Sequence, residues 1–392
     1  MKRSGSLFFI ALGIFGIINT ELGVVGLLPA IIEKYGVTAS QAGMLVSSFA
    51  LIIALFGPWM TLLMSRWNRK RVLVGILALF AISNLASVFA PVFPLLLVFR
   101  IIPALFHPVY FSIGFVLAAV LSDKERVAQA SAKVFLGVSL GMVLGIPVTS
   151  YVAEQFSLEA AFIFSAVVNV VAGLGIAFMV PTVIDDRKPT SIGSQLKVLR
   201  KPILWLNMAA ACFILSAMFA VYSYFAEYMG QHLNMSGKIV SMLLVVFGAS
   251  GVAGNWYAGK LLGKHLKRTT LLYPIALAMC YILLQFAGAS LLWLIGIVAL
   301  WGAVHTSGLI VSQIWLTSEA PEAPEFANSL FVSFSNLGVT IGTAVGGWLI
   351  AISGTGEIVL GGILFTALAL ICIALSSVLR AKSKVPSGME GK

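Results

Sequence analysis

Long apolar runs dominate this chain and restrict the folds open to it. The run from Leu7 to Ile32 contains a single charged residue, Glu21, and a helix needs only about 20 apolar residues to cross a bilayer. Charged residues make up 10% of the chain and hydrophobic residues 60%, which is too apolar for a soluble protein. A membrane barrel would instead show short segments of alternating polarity. We therefore predict an all-α integral membrane protein.

Charged clusters and Pro or Gly residues divide the apolar sequence into twelve predicted transmembrane helices. Their approximate limits are 7–32, 39–64, 72–90, 93–121, 128–153, 158–181, 203–229, 236–260, 269–287, 290–318, 326–352 and 355–379. The polar stretch 184–202 carries Pro189 and Pro202 and lies near the middle of the chain. We expect it to be a cytoplasmic linker between two pseudo-symmetric six-helix bundles, residues 1–183 and residues 203–392, the second with a short basic tail.

Nearly all positive charges fall on one side of the predicted membrane. Of the 25 Lys and Arg residues, Lys34 and Lys238 fall on the opposite side, and Arg100 falls within a span. Because basic loops stay in the cytoplasm, we expect a multi-pass protein of the inner (plasma) membrane with both termini cytoplasmic. This bias accounts for the formal charge of +11, so nucleic acid is not an expected partner.

The two predicted bundles repeat one another at a nearly constant spacing. GPW at 57–59 returns 197 residues later as GNW at 254–256, and His107 returns 198 residues later as His305. Two glycine rows lie 201 residues apart and comprise Gly137, Gly141, Gly145, Gly338, Gly342 and Gly346. Such rows let helices pack closely, so we predict packing and gating roles for these glycines and for Pro147. A duplicated bundle is typical of transporters built around a central site.

Several stretches of the chain resemble one family of transporters. They are TELGVVGLLPAI, QAGMLVSSFAL, RIIPALFHPVYFSIGF and FSNLGVTIGTAVGG. With the twelve spans and the basic loop after the second, they resemble the major facilitator superfamily, and within it the drug:proton antiporters. The branch that they resemble is that of the sugar-efflux and purine-efflux exporters, which are similar to arabinose-efflux permeases. The resemblance implies the fold of that superfamily and efflux driven by protons.

Two stretches depart from the patterns usual in that family. The superfamily loop after the second span reads Gly-x-x-x-Asp-Arg, whereas TLLMSRWNRKR has Thr61 at the glycine position and Ser65 at the acid position. The usual carboxylate latch of this loop is therefore in question, although the candidate gating residues Arg66, Arg69, Lys70 and Arg71 keep its positive charge. In the fifth span, Ile146 separates the Gly-Pro pair that the antiporter signature normally contains.

Glu21 has the position with the highest free-energy cost, because it lies about 2 Å from the midpoint of the first predicted span by helix rise. A carboxylate at that depth costs about 3 kcal/mol and usually serves an ion or substrate pathway. Arg100 and His107 lie seven residues apart on the fourth span, so they share a face. We predict that Glu21, Arg100 and His107 couple transport to protons. The alternatives are a static Glu21–Arg100 ion pair, a clamp of Arg100 on backbone carbonyls, and a neutral packing role for His107.

A substrate cavity needs dispersed polar and aromatic groups, and several spans supply them. The predicted substrate-binding residues are Tyr110, Tyr222, His305, Gln313 and Asn336. Further candidates are Asn207, Tyr224 and Trp301, and Glu227 is a candidate for an outer gate. Each of these can instead bridge helices, which is the commoner use of Asn and Gln in membrane spans.

The sequence favours a secondary active exporter that exchanges protons for a small organic molecule such as a sugar, a nucleoside or purine, or a lipophilic drug. Its expected partners are this substrate, protons and the bilayer. We expect a monomer with no metal and no cofactor besides the proton gradient. One alternative is a facilitator or importer of the same fold with Glu21 as a substrate ligand. Another is a membrane-embedded enzyme or receptor, but the sequence contains no Walker loop or His-Glu-x-x-His motif, and no catalytic residue is predicted.

Overall fold

Helices form nearly all of the protein in this computed structural model. The structure describes residues 2–181, 192–225, 228–287 and 290–383, and no strand occurs within these ranges. Glu227 and much of the predicted linker lie outside the described residues. The helices are α1 (Lys2–Gly23), α2 (Leu28–Tyr35), α3 (Ala39–Met64), α4 (Arg69–Val88), α5 (Phe93–Ala104), α6 (His107–Val120), α7 (Val127–Gln155), α8 (Leu158–Met179), α9 (Ile192–Leu196), α10 (Pro202–Tyr222), α11 (Gly237–Gln285), α12 (Leu291–Thr317), α13 (Pro324–Ser353) and α14 (Ile358–Ser383).

Eleven helical segments in the described part of the chain are long and apolar enough to cross a membrane. One of them, α11, has 49 residues, which at the α-helical rise is about 74 Å, more than twice the apolar thickness of a bilayer. Its backbone leaves the helical region at His265, where φ is −142° and ψ is 61°. α11 therefore consists of two consecutive spans, and the predicted all-α fold with twelve transmembrane helices is confirmed.

The first predicted span is not one continuous helix. α1 gives way to a 3₁₀ turn at Val24–Leu27, and α2 then begins with Pro29 in its first turn. Glycine has a low helix propensity, and proline lacks the amide that a helix needs. The succession of Gly23, Gly26 and Pro29 therefore explains an interruption that begins at Val24, three residues after Glu21.

The fourth predicted span is interrupted as well. α5 ends at Ala104, and α6 begins at His107. Pro103 lies in the last turn of α5, and Pro108 lies in the first turn of α6, a position where a missing amide costs little. The seven-residue spacing from Arg100 to His107 thus crosses a helix boundary.

The contacts divide the chain into two compact units. The first comprises Met1–Gln195 with Ala323–Asn336, and the second comprises Leu196–Glu322 with Leu337–Lys392. In the first unit, α1 packs against α7 and α8, and α4 packs against α8. In the second unit, α11 packs against α12, and α10 packs against α14. The bundle limits expected from the sequence stay a prediction.

The glycine row of α7 lies where α1 comes very close. A Cβ on Gly141 would lie 2.5 Å from Cγ2 of Ile18, and a Cβ on Gly137 would overlap the carbonyl oxygen of Ala11. Pro147, which follows this row, is exposed and lies inside α7 without ending it. The small residues thus let the backbones of α1 and α7 approach each other closely.

The glycine row of α13 packs against α10 in the same way within the second unit. A Cβ on Gly338 would overlap the carbonyl oxygen of Cys212, and one on Gly342 would overlap that of Ser216. The Ser216 hydroxyl donates a hydrogen bond to the carbonyl oxygen of Gly338 at 3.0 Å. Any side chain in this row would therefore separate the two helices.

We predict that Gly141→Leu and Gly342→Leu each destabilise the protein by about 1–3 kcal/mol, the usual cost of an overpacked interior. The measurement is the thermal unfolding temperature of the purified protein. Gly43→Leu and Gly296→Leu are matched controls, because a Cβ at either position would meet no atom within 4 Å. Equal unfolding temperatures for all four variants and the wild type would contradict the packing role.

Candidate functional site

Arg100 contacts the backbone at the end of α1, where the α-helix changes to a 3₁₀ turn in mid-span. The last turn of α1 includes Thr20 and Glu21. Nη2 of Arg100 donates a hydrogen bond to the carbonyl oxygen of Thr20 and another, at 3.3 Å, to that of Glu21. Arg100 is 3% exposed. A cation at this end of a helix also interacts favourably with the helix dipole.

The Glu21 carboxylate itself faces His107. Its Oε2 lies 3.2 Å from Nε2 of His107, and the two side chains are 12% and 4% exposed. Among the described residues no ion pair joins Glu21 to Arg100. The structure therefore has the carbonyl clamp for Arg100 and not the static Glu21–Arg100 ion pair. All three predicted coupling residues nevertheless meet at the end of α1.

Aromatic rings enclose the imidazole of His107. Phe111 stacks on it with ring centres 4.3 Å apart, and Phe49 meets it edge-on at 6.0 Å. Neither ring nitrogen of His107 has a hydrogen-bond partner in the described part of the chain, although Nε2 lies close to the Glu21 carboxylate. A carboxylate and an imidazole in contact behind apolar walls interact strongly, because the local dielectric constant is low. The contact thus places an acid beside an imidazole within the first unit.

A buried polar network, which the sequence analysis missed, holds the end of α1. It comprises Asn19, Thr20, Asn84, Thr149, Ser165 and Asn169. The hydroxyl of Thr20 accepts from the side-chain amides of Asn84 at 3.0 Å and Asn169 at 3.3 Å. Asn19 donates to Ser165 at 2.9 Å and accepts from Thr149 at 3.0 Å. The network fixes the backbone that presents Glu21, and its signal was the presence of Asn within apolar spans.

The second unit contains a different arrangement around its own buried histidine. His305 is 2% exposed and lies among the rings of Phe219, Tyr222, Phe247 and Trp301, at centre distances of 6.0, 5.0, 5.1 and 6.1 Å. We call these five side chains the aromatic box. Both imidazole nitrogens of His305 lack a hydrogen-bond partner among the described residues. No carboxylate pairs with His305 in that part of the chain.

The glycine rows show which residues correspond in the two units. A Cβ on Gly137 would meet Ala11, and one on Gly338 would meet Cys212. Gly338 follows Gly137 by 201 residues, and Cys212 follows Ala11 by the same number. The other glycines of the rows show the same spacing in the residues that they meet. Phe15 in the first unit corresponds to Ser216 in the second, and Asn19 corresponds to Ala220. By this spacing the counterpart of Glu21 is Tyr222.

The histidines and their flanking rings also correspond. Phe49 and Phe247 are 198 residues apart, as His107 and His305 are. Each phenylalanine meets its histidine at a steep angle, 87° in the first unit and 63° in the second. The two units thus contain a duplicated arrangement. The position that holds an acid, Glu21, in the first unit holds a tyrosine, Tyr222, in the second.

The other predicted substrate residues lie apart from these contacts. Tyr110 is buried in the first unit and donates to the carbonyl oxygen of Ile10 at 3.2 Å. Asn336 donates to Val332 of its own helix at 2.9 Å. Gln313 is buried on α12, two turns beyond His305. Among the described residues of the predicted set, Tyr222 and His305 are in ring contact with each other.

The additional candidates make contacts typical of helix bridges. Asn207 donates to the carbonyl oxygen of Trp315 at 3.4 Å, and Tyr224 donates to that of Thr343 at 2.8 Å. Trp301 belongs to the aromatic box. No group of three His, Cys, Asp or Glu side chains suited to a metal ion occurs among the described residues.

The basic loop before α4 has a carboxylate partner after all. Nε of Arg69 contacts Oε1 of Glu325 in the first turn of α13, and both residues belong to the first unit. An acid in a first turn is also favoured by the helix dipole. The basic segment thus has a carboxylate partner on α13, although Ser65 itself carries no acid. Arg66 is exposed, and Lys70 and Arg71 line an open cavity of about 470 Å³.

Comparisons with known proteins point to one family. The sequence model of the Major Facilitator Superfamily matches residues 6–324 and residues 224–391. The inner membrane transport protein YdhP of Escherichia coli O157:H7 is 29% identical over 383 residues, which cover 96% of this chain and 97% of the relative. A protein of Helicobacter pylori (strain G27) named probable sugar efflux transporter is 28% identical over 354 residues, 90% of each chain.

A solved structure shares the fold. The human organic anion transporter MFSD10 (TETRAN) superposes with a TM-score of 0.78 at 16% identity, and the match covers 95% of this chain and 99% of that chain. At this level of identity the similarity concerns the fold alone.

We predict that Arg100→Lys lowers the transport rate at least tenfold. Lysine keeps the charge but loses the planar fork with its fixed donors, so the carbonyls of Thr20 and Glu21 lose their present partner. The measurement is substrate uptake into inverted vesicles at matched expression. Arg126→Lys, at an exposed arginine before α7, is the control and should retain the wild-type rate. A wild-type rate for Arg100→Lys would mean that any positive charge suffices there.

We predict that Arg69→Glu destabilises the protein by about 2–3 kcal/mol, because it leaves the buried carboxylate of Glu325 facing another acid. Adding Glu325→Arg should restore part of the loss by reversing the pair. Thermal unfolding of the purified variants measures both effects, and Lys70→Glu controls for the change in loop charge. The contact has no energetic role if the double variant is less stable than Arg69→Glu alone.

Proposed function

Because the chain belongs to the Major Facilitator Superfamily, we propose that it exports a small organic molecule across the inner membrane in exchange for protons, by alternating access. The family confirms the prediction of a transporter rather than an enzyme. The observation that carries the finer proposal is the contact between the Glu21 carboxylate and the His107 imidazole at the interrupted end of α1. Discontinuous helices commonly form the ion and substrate sites of transporters.

The proton is proposed to bind at the Glu21–His107 pair. With one proton between them, the carboxylate and the imidazole form either an ion pair or a neutral pair. A second proton neutralises Glu21 while His107 stays charged, and the attraction that holds the end of α1 against the start of α6 is lost. Loading and release of this proton thus change the strength of a contact between two helices of the first unit.

Arg100 is proposed to act through the backbone and not as the proton carrier. Its hydrogen bonds to the carbonyls of Thr20 and Glu21 hold the end of α1 while the Glu21 side chain remains available to His107. A guanidinium group stays charged under all relevant conditions. Arg100 is therefore a positioning residue for Glu21 in this scheme.

The available energy is adequate for uphill export. A membrane potential of 100 mV acting on one charge supplies ~2.3 kcal/mol, and one pH unit adds ~1.4 kcal/mol. Together they sustain a substrate gradient of roughly a few hundredfold for each proton that is exchanged.

The names of two relatives support direction and location. One is called a sugar efflux transporter and another an inner membrane transport protein. The proposed substrates are accordingly sugars, nucleosides or purines, and lipophilic drugs. The basic bias of the loops supports cytoplasmic termini, and we propose a monomer that needs no cofactor besides the proton gradient.

We predict that Glu21→Gln abolishes accumulation of substrate against a gradient. Glutamine resembles the protonated acid but cannot release a proton, so binding and exchange across the bilayer should continue while substrate-induced proton release stops. The variant should unfold at or above the wild-type temperature, because a charge inside the membrane is removed. Transport in proteoliposomes with and without a pH gradient measures the loss.

Glu33→Gln is the matched control, since Glu33 is an exposed acid of α2. It should retain uphill transport. Wild-type accumulation by Glu21→Gln would exclude Glu21 as the coupling site. Accumulation by the wild type that is insensitive to a protonophore would instead favour a transporter that does not use protons.

A further inference from the structure

The aromatic box of the second unit has Tyr222 beside its histidine, whereas the corresponding histidine of the first unit has Glu21 beside it. We propose that this box binds the ring of an uncharged substrate with hydrogen-bonding groups at its edge, as monosaccharides and nucleosides have. The inference rests on the proposed function, because it names the class of molecule that the transporter carries. Three observations within the second unit carry it.

The first observation is the divergence of the duplicated arrangement. Tyr222 occupies in α10 the place that Glu21 occupies in α1, and its ring lies 5.0 Å from that of His305. A phenol is uncharged at neutral pH, so the second unit has the histidine without the acid. An arrangement that has lost its carboxylate cannot take part in the same proton exchange, and its polar atoms are available for another ligand.

The second observation is the unsatisfied imidazole. His305 is 2% exposed, and neither of its ring nitrogens has a hydrogen-bond partner among the described residues. A buried polar group without a partner is costly and rare in native proteins. Neutral imidazole offers one donor and one acceptor. A ligand edge that carries a hydroxyl group, or a donor beside an acceptor, satisfies both.

The third observation is the surrounding surface. The rings of Phe219, Tyr222, Phe247 and Trp301 present apolar faces around the imidazole. Phe219 and Tyr222 are only partly buried, whereas His305, Phe247 and Trp301 are buried, so the first two rings carry the accessible surface of the box. Aromatic faces with a few placed polar groups are the usual lining of small-molecule sites. Flat or apolar ring faces fit such walls.

The same surroundings disfavour charged ligands. No acid pairs with His305 in the described part of the chain to balance a bound cation. Among the described residues, no ion pair and no cation–π contact involves His305, so no Lys or Arg is paired with it to balance an anion. Moving an unpaired charge into such a site is expensive. The box therefore selects uncharged molecules.

The test measures binding to the purified full chain, without transport. Adenosine and L-arabinose are the uncharged probes, and tetraphenylphosphonium is the charged probe. Dissociation constants come from the ligand dependence of thermal unfolding. We expect at least one uncharged probe to stabilise the wild type, and we expect its affinity to fall at least tenfold in His305→Leu and in Tyr222→Glu. His305→Gln, which keeps a donor and an acceptor, should recover part of the affinity.

Two controls separate binding from folding. Tyr257→Phe alters an exposed tyrosine of α11 and should leave the affinity unchanged. Unfolding temperatures without ligand show whether His305→Leu is folded, and Tyr222→Phe provides a smaller change in the same box. With Tyr222→Phe we expect a severalfold weaker affinity through loss of the hydroxyl alone.

The outcomes distinguish this inference from the proposed coupling. The inference is overturned if tetraphenylphosphonium alone binds, if no uncharged probe binds, or if the affinity of the box variants stays within twofold of the wild type. Glu21→Gln should bind the uncharged probe normally while it loses uphill transport. If Glu21→Gln keeps uphill transport while the box variants lose binding, the coupling proposal fails, and the assignment of substrate binding to the aromatic box stands.

Discussion

The hydrogen bonds from Arg100 to the carbonyls at the end of α1 are the interaction on which the rest of the first unit depends. A membrane interior offers no water to a free carbonyl group, so an interrupted helix must find partners within the protein. Gly23 and Pro29 flank a 3₁₀ turn in mid-span, and the guanidinium group of Arg100 donates hydrogen bonds to carbonyls in the helix turn before it. These hydrogen bonds hold the end of α1 against α5.

The position of Glu21 follows from that contact and from the polar network behind it. Thr20 is held by Asn84 and Asn169, and Asn19 is held by Ser165 and Thr149. With the backbone fixed on this side, the Glu21 side chain lies against His107. The division of tasks is physical: a permanently charged group holds the backbone, and two groups that can exchange a proton face each other. This arrangement is the basis of the coupling that we propose.

Duplication explains why the two units resemble each other, and substitution explains why they differ. The glycine rows keep equivalent helix pairs close in both units, and a phenylalanine flanks each buried histidine. The partner of the histidine is what changed, from the acid Glu21 to the phenol Tyr222. The exchange of an acid for a phenol beside a buried histidine is the basis of the different roles that we propose for the two sites.

The sequence by itself determined the class of fold, the number of spans and the residues under most constraint. Span length and apolar composition are local properties, and a carboxylate in mid-span is conspicuous in any apolar run. The sequence also located the glycine rows, because a spacing of four places them on one helix face. The first and fourth predicted spans correspond to Gly5–Tyr35 and Phe93–Val120. Their internal interruptions were not predicted, although Gly23, Pro29, Pro103 and Pro108 were visible as helix breakers.

Only the tertiary structure decided which groups meet. Arg100 could have paired with the Glu21 carboxylate or with backbone carbonyls, and the choice depends on the distance between α1 and α5. The contact of Arg69 with Glu325 joins residues 256 positions apart, and no periodicity connects them. Helices that are distant in sequence become neighbours through packing of whole faces, so partners across them follow from three-dimensional geometry and not from local pattern.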